Sequence, residues 1–186
     1  TFKRIRRRKL AHPDEVFVMV ADPRWTETAD LADVHLSLRP GSDIALLNGM
    51  LHVIWAEGKL YPRFIASHTS GWGAVQAVIE RYPPDRAAAV TGLSAETIRT
   101  AARRFGTARA ALSLWSMGVN QSHIGTDKNA AIINLHLATG QIGRPGTGLH
   151  PLRGQNNVQG ASDSGLIPMV FPDYQRVDNP EARARF

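Results

Sequence analysis

The sequence predicts an α/β fold: a layered domain of helices packed around a mainly parallel sheet. Segments with strand character alternate with segments of helical periodicity along most of the chain. The first strand segment, residues 15–21 (EVFVMVA), is almost continuously apolar. Such a run is typical of a parallel strand that is buried on both faces. Neither an internal repeat nor a low-complexity tract interrupts the pattern.

The turn Asp22-Pro23-Arg24 ends this first predicted strand. A short helix over residues 26–32 follows, and residues 34–38 (VHLSL) alternate in the manner of a second strand. The turn Pro40-Gly41-Ser42-Asp43 then begins a helix, in which Ser42 is a suitable N-cap and Asp43 suits the positive helix start. Helical spacing continues in that segment through four apolar residues, Ile44, Leu47, Leu51 and Ile54.

The middle of the chain predicts further helices. Residues 62–82 are mainly helical in pattern, with a break at Gly71 and Gly73. Ser94 is the predicted N-cap of the next helix, Leu93 packs on Ile98 as a hydrophobic staple, and Gly106 is its predicted C-cap. The buried stripe of that helix is expected to be Ile98, Ala101, Ala102 and Phe105.

A third strand over residues 110–115 and a helix over Gly125–Thr139, closed by Gly140, complete the regular part of the prediction. From residue 141 onward, glycine and proline crowd together and the periodicity ends. We expect a long functional loop there, and a polar surface segment over residues 174–186.

Composition excludes several classes of protein. No segment approaches the ~18 uninterrupted apolar residues of a membrane helix, and no apolar stretch of a secretory signal follows the basic start. The 186 residues contain no Cys, which excludes disulfides, a thiolate metal site and a cysteine nucleophile within them.

The net charge of +6 arises in one short segment, residues 3–9, which holds six of the 22 Lys and Arg residues, whereas the other 16 match the 16 acids. This segment is either a phosphate-binding arm or a solvated connector or surface helix. No aromatic residue is interleaved with the charges, which favours the second interpretation and argues against a nucleic-acid partner.

Polar residues form four clusters at the carboxyl ends of predicted strands or in the loops that follow, where α/β sheets bind ligands. We call three of them the Gly41 turn (residues 41–43), the Met117 loop (residues 117–121) and the amide loop (residues 152–160); the fourth is Asp22-Pro23-Arg24.

Each cluster has a functional and a purely structural interpretation. Asp22 can accept two hydrogen bonds from a ribose or guanine edge while Arg24 reaches a phosphate, or the two residues form a plain turn. The Gly41 turn can bind an anion, or it is simply a well-capped helix start. The Met117 loop offers Asn120 and Gln121 as hydrogen-bonding groups, or it is an ordinary loop.

The amide loop combines one arginine, Arg153, with four side-chain amides, Gln155, Asn156, Asn157 and Gln159. Side-chain amides carry donor and acceptor capacity and suit a heterocycle with many polar edges, such as a pterin. The planar guanidinium of Arg153 matches a carboxylate or a phosphate. A polar surface loop is the alternative interpretation.

Familiar signatures are missing from the sequence. The glycine-rich run at residues 143–148 follows a helix rather than a strand, so it is no dinucleotide fingerprint. The seven His show no metal-ligand spacing, and His123 with Asp127 indicates only a surface pair. Chemistry alone therefore predicts an α/β domain that binds a polar, phosphate-bearing heterocycle.

Residues 20–43, 114–121 and 139–174 resemble the catalytic subunit of molybdopterin oxidoreductases. The run PLRGQNNVQGASD, which begins at Pro151, looks like formate dehydrogenase rather than nitrate reductase. The run GLIPMVFPDYQ, which begins at Gly165, resembles the soluble, NAD-dependent type. The resemblance covers nearly the whole chain from about Val20.

The resemblance implies a bis-molybdopterin guanine dinucleotide cofactor with molybdenum or tungsten. One guanine dinucleotide end would be held by Asp22, Arg24, Gly41, Ser42 and Asp43. The cofactor near the metal would be lined by Met117, Gln121 and Gln155. Arg153 matches the active-site arginine that orients the formate carboxylate while two electrons and a proton leave the carbon.

The family's metal ligand, a Cys or selenocysteine followed by a His, and its iron–sulfur cysteines have no counterpart here. The resemblance therefore implies an inactive fragment of a cytoplasmic enzyme, whose partners are formate, the rest of the catalytic subunit and electron-transfer subunits, without nucleic acid or membrane. It also implies three parts: a basic connector (1–13), a dinucleotide-binding-like α/β domain (14–153) and the start of an adjacent α/β domain (154–186).

Two other functions remain open at this point. The chain is part of a molybdopterin oxidoreductase acting on another substrate, or it is a non-enzymatic α/β module in which the amide loop is an interaction surface and residues 3–9 bind acid or nucleic acid.

Overall fold

The computed structural model describes residues 2–186, so that Thr1 of the predicted connector lies outside the described residues. Ten α-helices, two short 3-10 helices (Ala29–Leu31, within the helix predicted over residues 26–32, and Pro172–Tyr174) and six strands are present in that part of the chain. The helices are α1 (Phe2–Ala11), α2 (Asp43–Ala56), α3 (Pro62–His68), α4 (Trp72–Ile79), α5 (Pro84–Thr91), α6 (Ala95–Gly106), α7 (Met117–Asn120), α8 (Gly125–Thr139), α9 (Val158–Asp163) and α10 (Pro180–Arg185). The strands are β1 (Met19–Ala21), β2 (Val34–Leu36), β3 (Leu112–Trp115), β4 (Gly148–Pro151), β5 (Val170–Phe171) and β6 (Gln175–Arg176).

The strands form pairs. β1 lies parallel to β2 with Met19 opposite Val34, and β3 lies parallel to β4 with Trp115 opposite Pro151. β5 and β6 form a short antiparallel pair. The predicted α/β fold with parallel pairing is confirmed, and the parallel strands occur as two separate pairs.

The first strand differs from its prediction. β1 covers only the last three residues of the predicted run, Met19 packs against the core and Ala21 is exposed. Phe17 is 39% exposed, and the guanidinium of Arg104 lies 4.7 Å from its ring centroid. The prediction of burial on both faces was wrong, because Met19 and Val20 are only half-buried and Ala21 is exposed.

The core is built around α2. Leu51 and Ile54 are 1% and 0% exposed, and the helix is buried on several faces rather than along one stripe. At the crossing of α2 and α5, a side chain on Gly49 would place its Cβ 2.6 Å from that of Ala87. Helix α5 was not predicted, and it completes this packing.

Helix ends follow local sequence in two cases. Ser94 accepts a hydrogen bond from the backbone N–H of Thr97, as predicted for an N-cap, and the buried residues of α6 are the four predicted. α8 has the predicted bounds, and Gly140 follows it with a φ of 64°. Gly106, however, lies inside α6 rather than after it, and Thr107 is the C-cap.

The basic segment forms helix α1, in agreement with the surface-helix interpretation. Its Lys9 ammonium lies 2.7 Å from the carboxylate of Asp33 and donates to the carbonyls of Val16 and Pro13. The segment expected to be one long loop contains β4 and α9. No helix of residues 2–186 is both long and apolar enough to span a bilayer.

Candidate functional site

The Met117 loop and the amide loop lie side by side. Both follow the carboxyl ends of the parallel pair β3–β4, and the backbone N–H of Leu152 donates to the carbonyl of Trp115 at 2.7 Å. The hydroxyl of Ser116 donates to the carbonyl of Leu152 at 3.1 Å. A Cβ on Gly154 would lie 2.9 Å from the Cε of Met117, so glycine permits this approach.

The Met117 loop is held from behind by an amide network. The indole N–H of Trp115 lies within hydrogen-bonding distance of Asn129 Oδ1, at 2.8 Å, and of Asn120 Oδ1, at 3.1 Å. Asn129 in turn donates to Asn120 at 3.0 Å. The Asn120 amide thus faces the protein rather than a ligand, whereas Met117 and Gln121 are exposed.

Lys128 is a buried cation beside this loop and was not among the predicted site residues. Its side chain donates to Asp43 Oδ2 at 2.8 Å and, at 3.4 Å, to the carbonyl of Gly118. It therefore connects the Gly41 turn with the Met117 loop. The sequence signal was its place on the buried face of α8, one turn before Ile132, where an apolar residue is expected.

The Gly41 turn departs from the predicted cap. Ser42 is buried and stands at the N-cap position, but its hydroxyl donates to the carbonyl of Arg39 at 2.6 Å, so it does not cap α2. The prediction of a side-chain cap was wrong. Gly41 has a φ of 82° with open space around it. The side chains of Ser42 and Asp43 both bind other protein groups, Arg39 and Lys128. The donors that a ligand could use at this turn are therefore the main-chain N–H groups in the first turn of α2.

Asp22 and Arg24 follow β1. Asp22 Oδ1 accepts from the backbone N–H of Arg24 at 2.8 Å, and its carbonyl accepts from His35 Nε2 at 2.9 Å. Asp22 is half-buried and Arg24 is exposed. Among residues 2–186, no hydrogen bond or ion pair joins this cluster to the other three.

The amide loop is open to solvent. Every residue from 151 to 157 is exposed, including Arg153 and Gln155. In the described part of the chain, neither the ion pairs nor the hydrogen bonds include the Arg153 guanidinium. Asn157 differs from the other amides, because its φ is 49° and its Oδ1 accepts from the backbone N–H of Gly160 to cap α9.

His136 supports β3 from the inside. It is 0% exposed, its Nδ1 donates to the carbonyl of Gln141 at 2.8 Å, and its Nε2 accepts from the hydroxyl of Ser113 at 2.7 Å. Burial lowers the pKa of this imidazole; the hydrogen bond to the Gln141 carbonyl opposes it with a smaller effect, and the nearby His150 has the smallest effect, which also lowers the pKa. A neutral His136 is therefore part of the packed structure and not a site residue. In the described residues, no group of three His, Asp or Glu side chains gathers to hold a metal.

Three of the four predicted clusters are thus brought together. Lys128 joins the Gly41 turn to the Met117 loop, and the Met117 loop contacts the amide loop at Gly154. Together these clusters offer main-chain N–H donors, a guanidinium without an ion-pair partner among residues 2–186, and exposed amide groups. Such a donor set suits a polar ligand that carries phosphate or carboxylate groups.

Residues 2–183 match a protein-family model described as "Molybdopterin oxidoreductase". The chain is 43% identical over 182 residues to a nitrate reductase of Synechocystis sp., covering 98% of this chain and 25% of that protein. It is 44% identical over 169 residues to formate dehydrogenase H of Escherichia coli, covering 91% of this chain and 24% of that protein. The chain spans about a quarter of the length of these curated relatives.

A solved structure, acetylene hydratase from Pelobacter acetylenicus, aligns with a TM-score of 0.70 at 30% identity. It covers 80% of this chain, and the aligned part is 20% of that structure. The sequence motifs pointed to formate dehydrogenase rather than nitrate reductase, yet relatives with either name match at nearly equal identity.

Proposed function

Since this chain belongs to the molybdopterin oxidoreductase family, we propose that it forms part of the catalytic subunit of a formate dehydrogenase of the soluble, NAD-dependent type. That subunit oxidises formate to carbon dioxide, with two electrons and one proton leaving the carbon. The 44% identity to formate dehydrogenase H supports this substrate.

The residues present fit the molybdopterin cofactor that the family implies. Exposed Arg24 and half-buried Asp22 suit a phosphate and a guanine edge, and the main-chain N–H groups at the start of α2 suit a second anionic group. Gly41 has open space where a side chain would otherwise stand. We propose that these groups hold one guanine dinucleotide end of a bis-molybdopterin guanine dinucleotide with molybdenum or tungsten.

Met117, Gln121 and Gln155 are exposed on neighbouring loops and would line the pterin. When bound, the cofactor supplies the acceptor for the two electrons. Because these 186 residues contain no Cys, a thiolate ligand and an iron–sulfur cluster would come from outside them. Electron-transfer subunits and a cytoplasmic location complete the proposed enzyme.

The observation that carries the proposed substrate is Arg153, an exposed guanidinium without an ion-pair partner in the described residues, on a loop beside Met117. A guanidinium binds both oxygens of a carboxylate through two parallel hydrogen bonds. Held in this way, formate presents its C–H bond away from the arginine, which is the orientation that electron and proton removal requires.

The test is Arg153→Lys in the full-length protein, loaded with cofactor. Lysine keeps the charge and loses the two-pronged geometry, so we expect formate oxidation to fall about a hundredfold while the molybdenum content stays near normal. Arg63→Lys is the matched control, since Arg63 is also exposed and lies on α3. Loss of molybdenum in the Arg153 variant would instead make Arg153 a structural residue.

Nitrate reduction is the second candidate, favoured by the 43% identity over 98% of the chain to the Synechocystis protein. An arginine also binds a trigonal anion such as nitrate. A protein that reduces nitrate and leaves formate untouched would establish this candidate.

A further inference from the structure

Lys128 carries a buried charge whose location calls for a physical explanation. The residue is 5% exposed, and burial of an ammonium group is costly unless the charge is paired and hydrogen-bonded. Asp43 provides the pair at 2.8 Å, and the carbonyl of Gly118 provides a second acceptor at 3.4 Å.

The buried lysine does not stabilise α8 itself. Lys128 lies in the first turn of α8, where the helix dipole disfavours a cation. Asp43 lies in the first turn of α2, where the dipole favours a carboxylate. The ion pair therefore acts between elements, because it places the amino-terminal ends of α2 and α8 next to each other.

Both partners of Lys128 belong to predicted site segments. Asp43 is the last residue of the Gly41 turn, and Gly118 is the second residue of the Met117 loop. The hydrophobic core reaches α8 further along, at Leu135 and Ala138, and does not depend on this ammonium group. Removal of the charge would therefore release the two segments from one another and leave the core packed.

We infer that Lys128 is a positioning residue, which fixes the Gly41 turn and the Met117 loop relative to each other so that both contact one cofactor. The inference rests on the proposed cofactor site and is independent of the proposed substrate. In this arrangement Asp43 does not contact guanine directly. Its carboxylate binds Lys128, and the adjacent main chain faces the ligand.

The chain contains a matched control. Lys9 forms an ion pair with Asp33 at 2.7 Å and donates to two backbone carbonyls, with side chains 13% and 29% exposed. The corresponding exposures for Lys128 and Asp43 are 6% and 25%. Asp33 precedes β2, at the end of the β1–β2 pair opposite to Asp22, so that Lys9→Met removes a similar bond away from the proposed site.

The experiment compares Lys128→Met and Lys9→Met in the full-length protein purified with its cofactor. The readouts are molybdenum and guanine nucleotide per polypeptide, the rate of pterin release followed by the fluorescence of the oxidised pterin, and the melting temperature. We expect Lys128→Met to release pterin about tenfold faster than the wild type, a loss typical of residues that support a bound group indirectly. Lys9→Met should release it at the wild-type rate.

Lys128→Gln provides a second variant if the methionine protein does not accumulate, because its amide keeps N–H donors on the same side of α8 without the charge. Its release rate should lie between those of the wild type and the methionine variant. Equal release from the Lys128 and Lys9 variants, or wild-type release from both Lys128 variants, would overturn the inference. Pterin release does not involve formate, so a wild-type protein without formate oxidation would refute the proposed substrate and leave this result standing.

Discussion

At the scale of single residues, both the backbone conformation and the surroundings of Gly140 disfavour any side chain. It ends α8 with a φ of 64°, and a Cβ there would lie 2.3 Å from the Cδ1 of Tyr61. Gly143 is its matched control, because its φ is 72° and its surroundings are open. The control isolates the backbone strain, which costs about 1–2 kcal/mol in the left-handed region.

We predict that Gly140→Ala destabilises the end of α8 by about 2 kcal/mol more than Gly143→Ala, since the ring of Tyr61 must move as well. Hydrogen exchange of peptides from α8 and α3 in the full-length protein measures this difference in local stability. Equal exchange in the two variants would show that the Tyr61 ring moves aside without a cost in free energy.

His136 makes the stability of the folded chain depend on pH. Burial holds the pKa of the folded imidazole below its ordinary value of about 6.5, so the unfolded chain binds more protons in the interval between the two values. The stability that neutral His136 provides is therefore complete above about pH 6.5 and is lost as the pH falls toward the folded pKa.

We predict that α8 and β3 exchange faster as the pH is lowered from 7.5 to 5.5, after correction for intrinsic exchange, and that His136→Gln weakens this dependence. His123→Gln is the control, because His123 is exposed. An unchanged dependence in His136→Gln would assign the effect to another group.

Single residues also mark the limit of prediction from sequence. Ser94 caps α6 and Gly140 ends α8 as predicted, because both roles depend on hydrogen bonds and dihedral angles within a few residues. Lys128 was missed, since its partners Asp43 and Gly118 are distant in sequence or in another element. Arg153 and Gln155 were selected from composition and resemblance, and their contacts with a ligand stay predictions.

At the scale of elements, the short helix α7 depends on its neighbours. A helix of four residues has little stability of its own. The side chains of Trp115, Asn120 and Asn129 form a hydrogen-bonded network behind it. This network, together with Lys128, keeps Met117 and Gln121 at the surface of the proposed site.

We predict that Asn129→Ala speeds exchange of residues 117–121 about tenfold, equivalent to roughly 1.4 kcal/mol, because Trp115 loses its shorter hydrogen bond and Asn120 loses a donor. Asn134→Ala is the control on the same helix, since its side chain has no hydrogen bond among the described residues. Similar exchange in both variants would mean that the network does not hold the loop.

Elements also explain which parts of the fold were predictable. The bounds of α8 follow from its own glycines and periodicity. β4 was assigned to a loop because its four residues contain glycine and proline, and it exists through pairing with β3. Helix α5 begins at Pro84, and its burial against α2 is a tertiary effect that local propensity does not report.

At the scale of the whole molecule, three of the four clusters are joined, by Lys128 and by the close approach of Gly154 to Met117. Family membership and the parallel strand pairs agree with the fold predicted from sequence. The substrate is a different matter, because relatives named for formate and for nitrate match this chain almost equally. Since the chain spans about a quarter of those relatives, its own residues contribute one part of the proposed active site.

The most direct test of the central claim is a pair of dye-linked assays on the full-length, cofactor-loaded protein. One assay measures formate-dependent reduction of oxidised benzyl viologen, and the other measures nitrate-dependent oxidation of reduced methyl viologen. We predict formate-dependent reduction that Arg153→Lys lowers about a hundredfold, and no nitrate-dependent oxidation. Nitrate-dependent oxidation without formate-dependent reduction would contradict the claim.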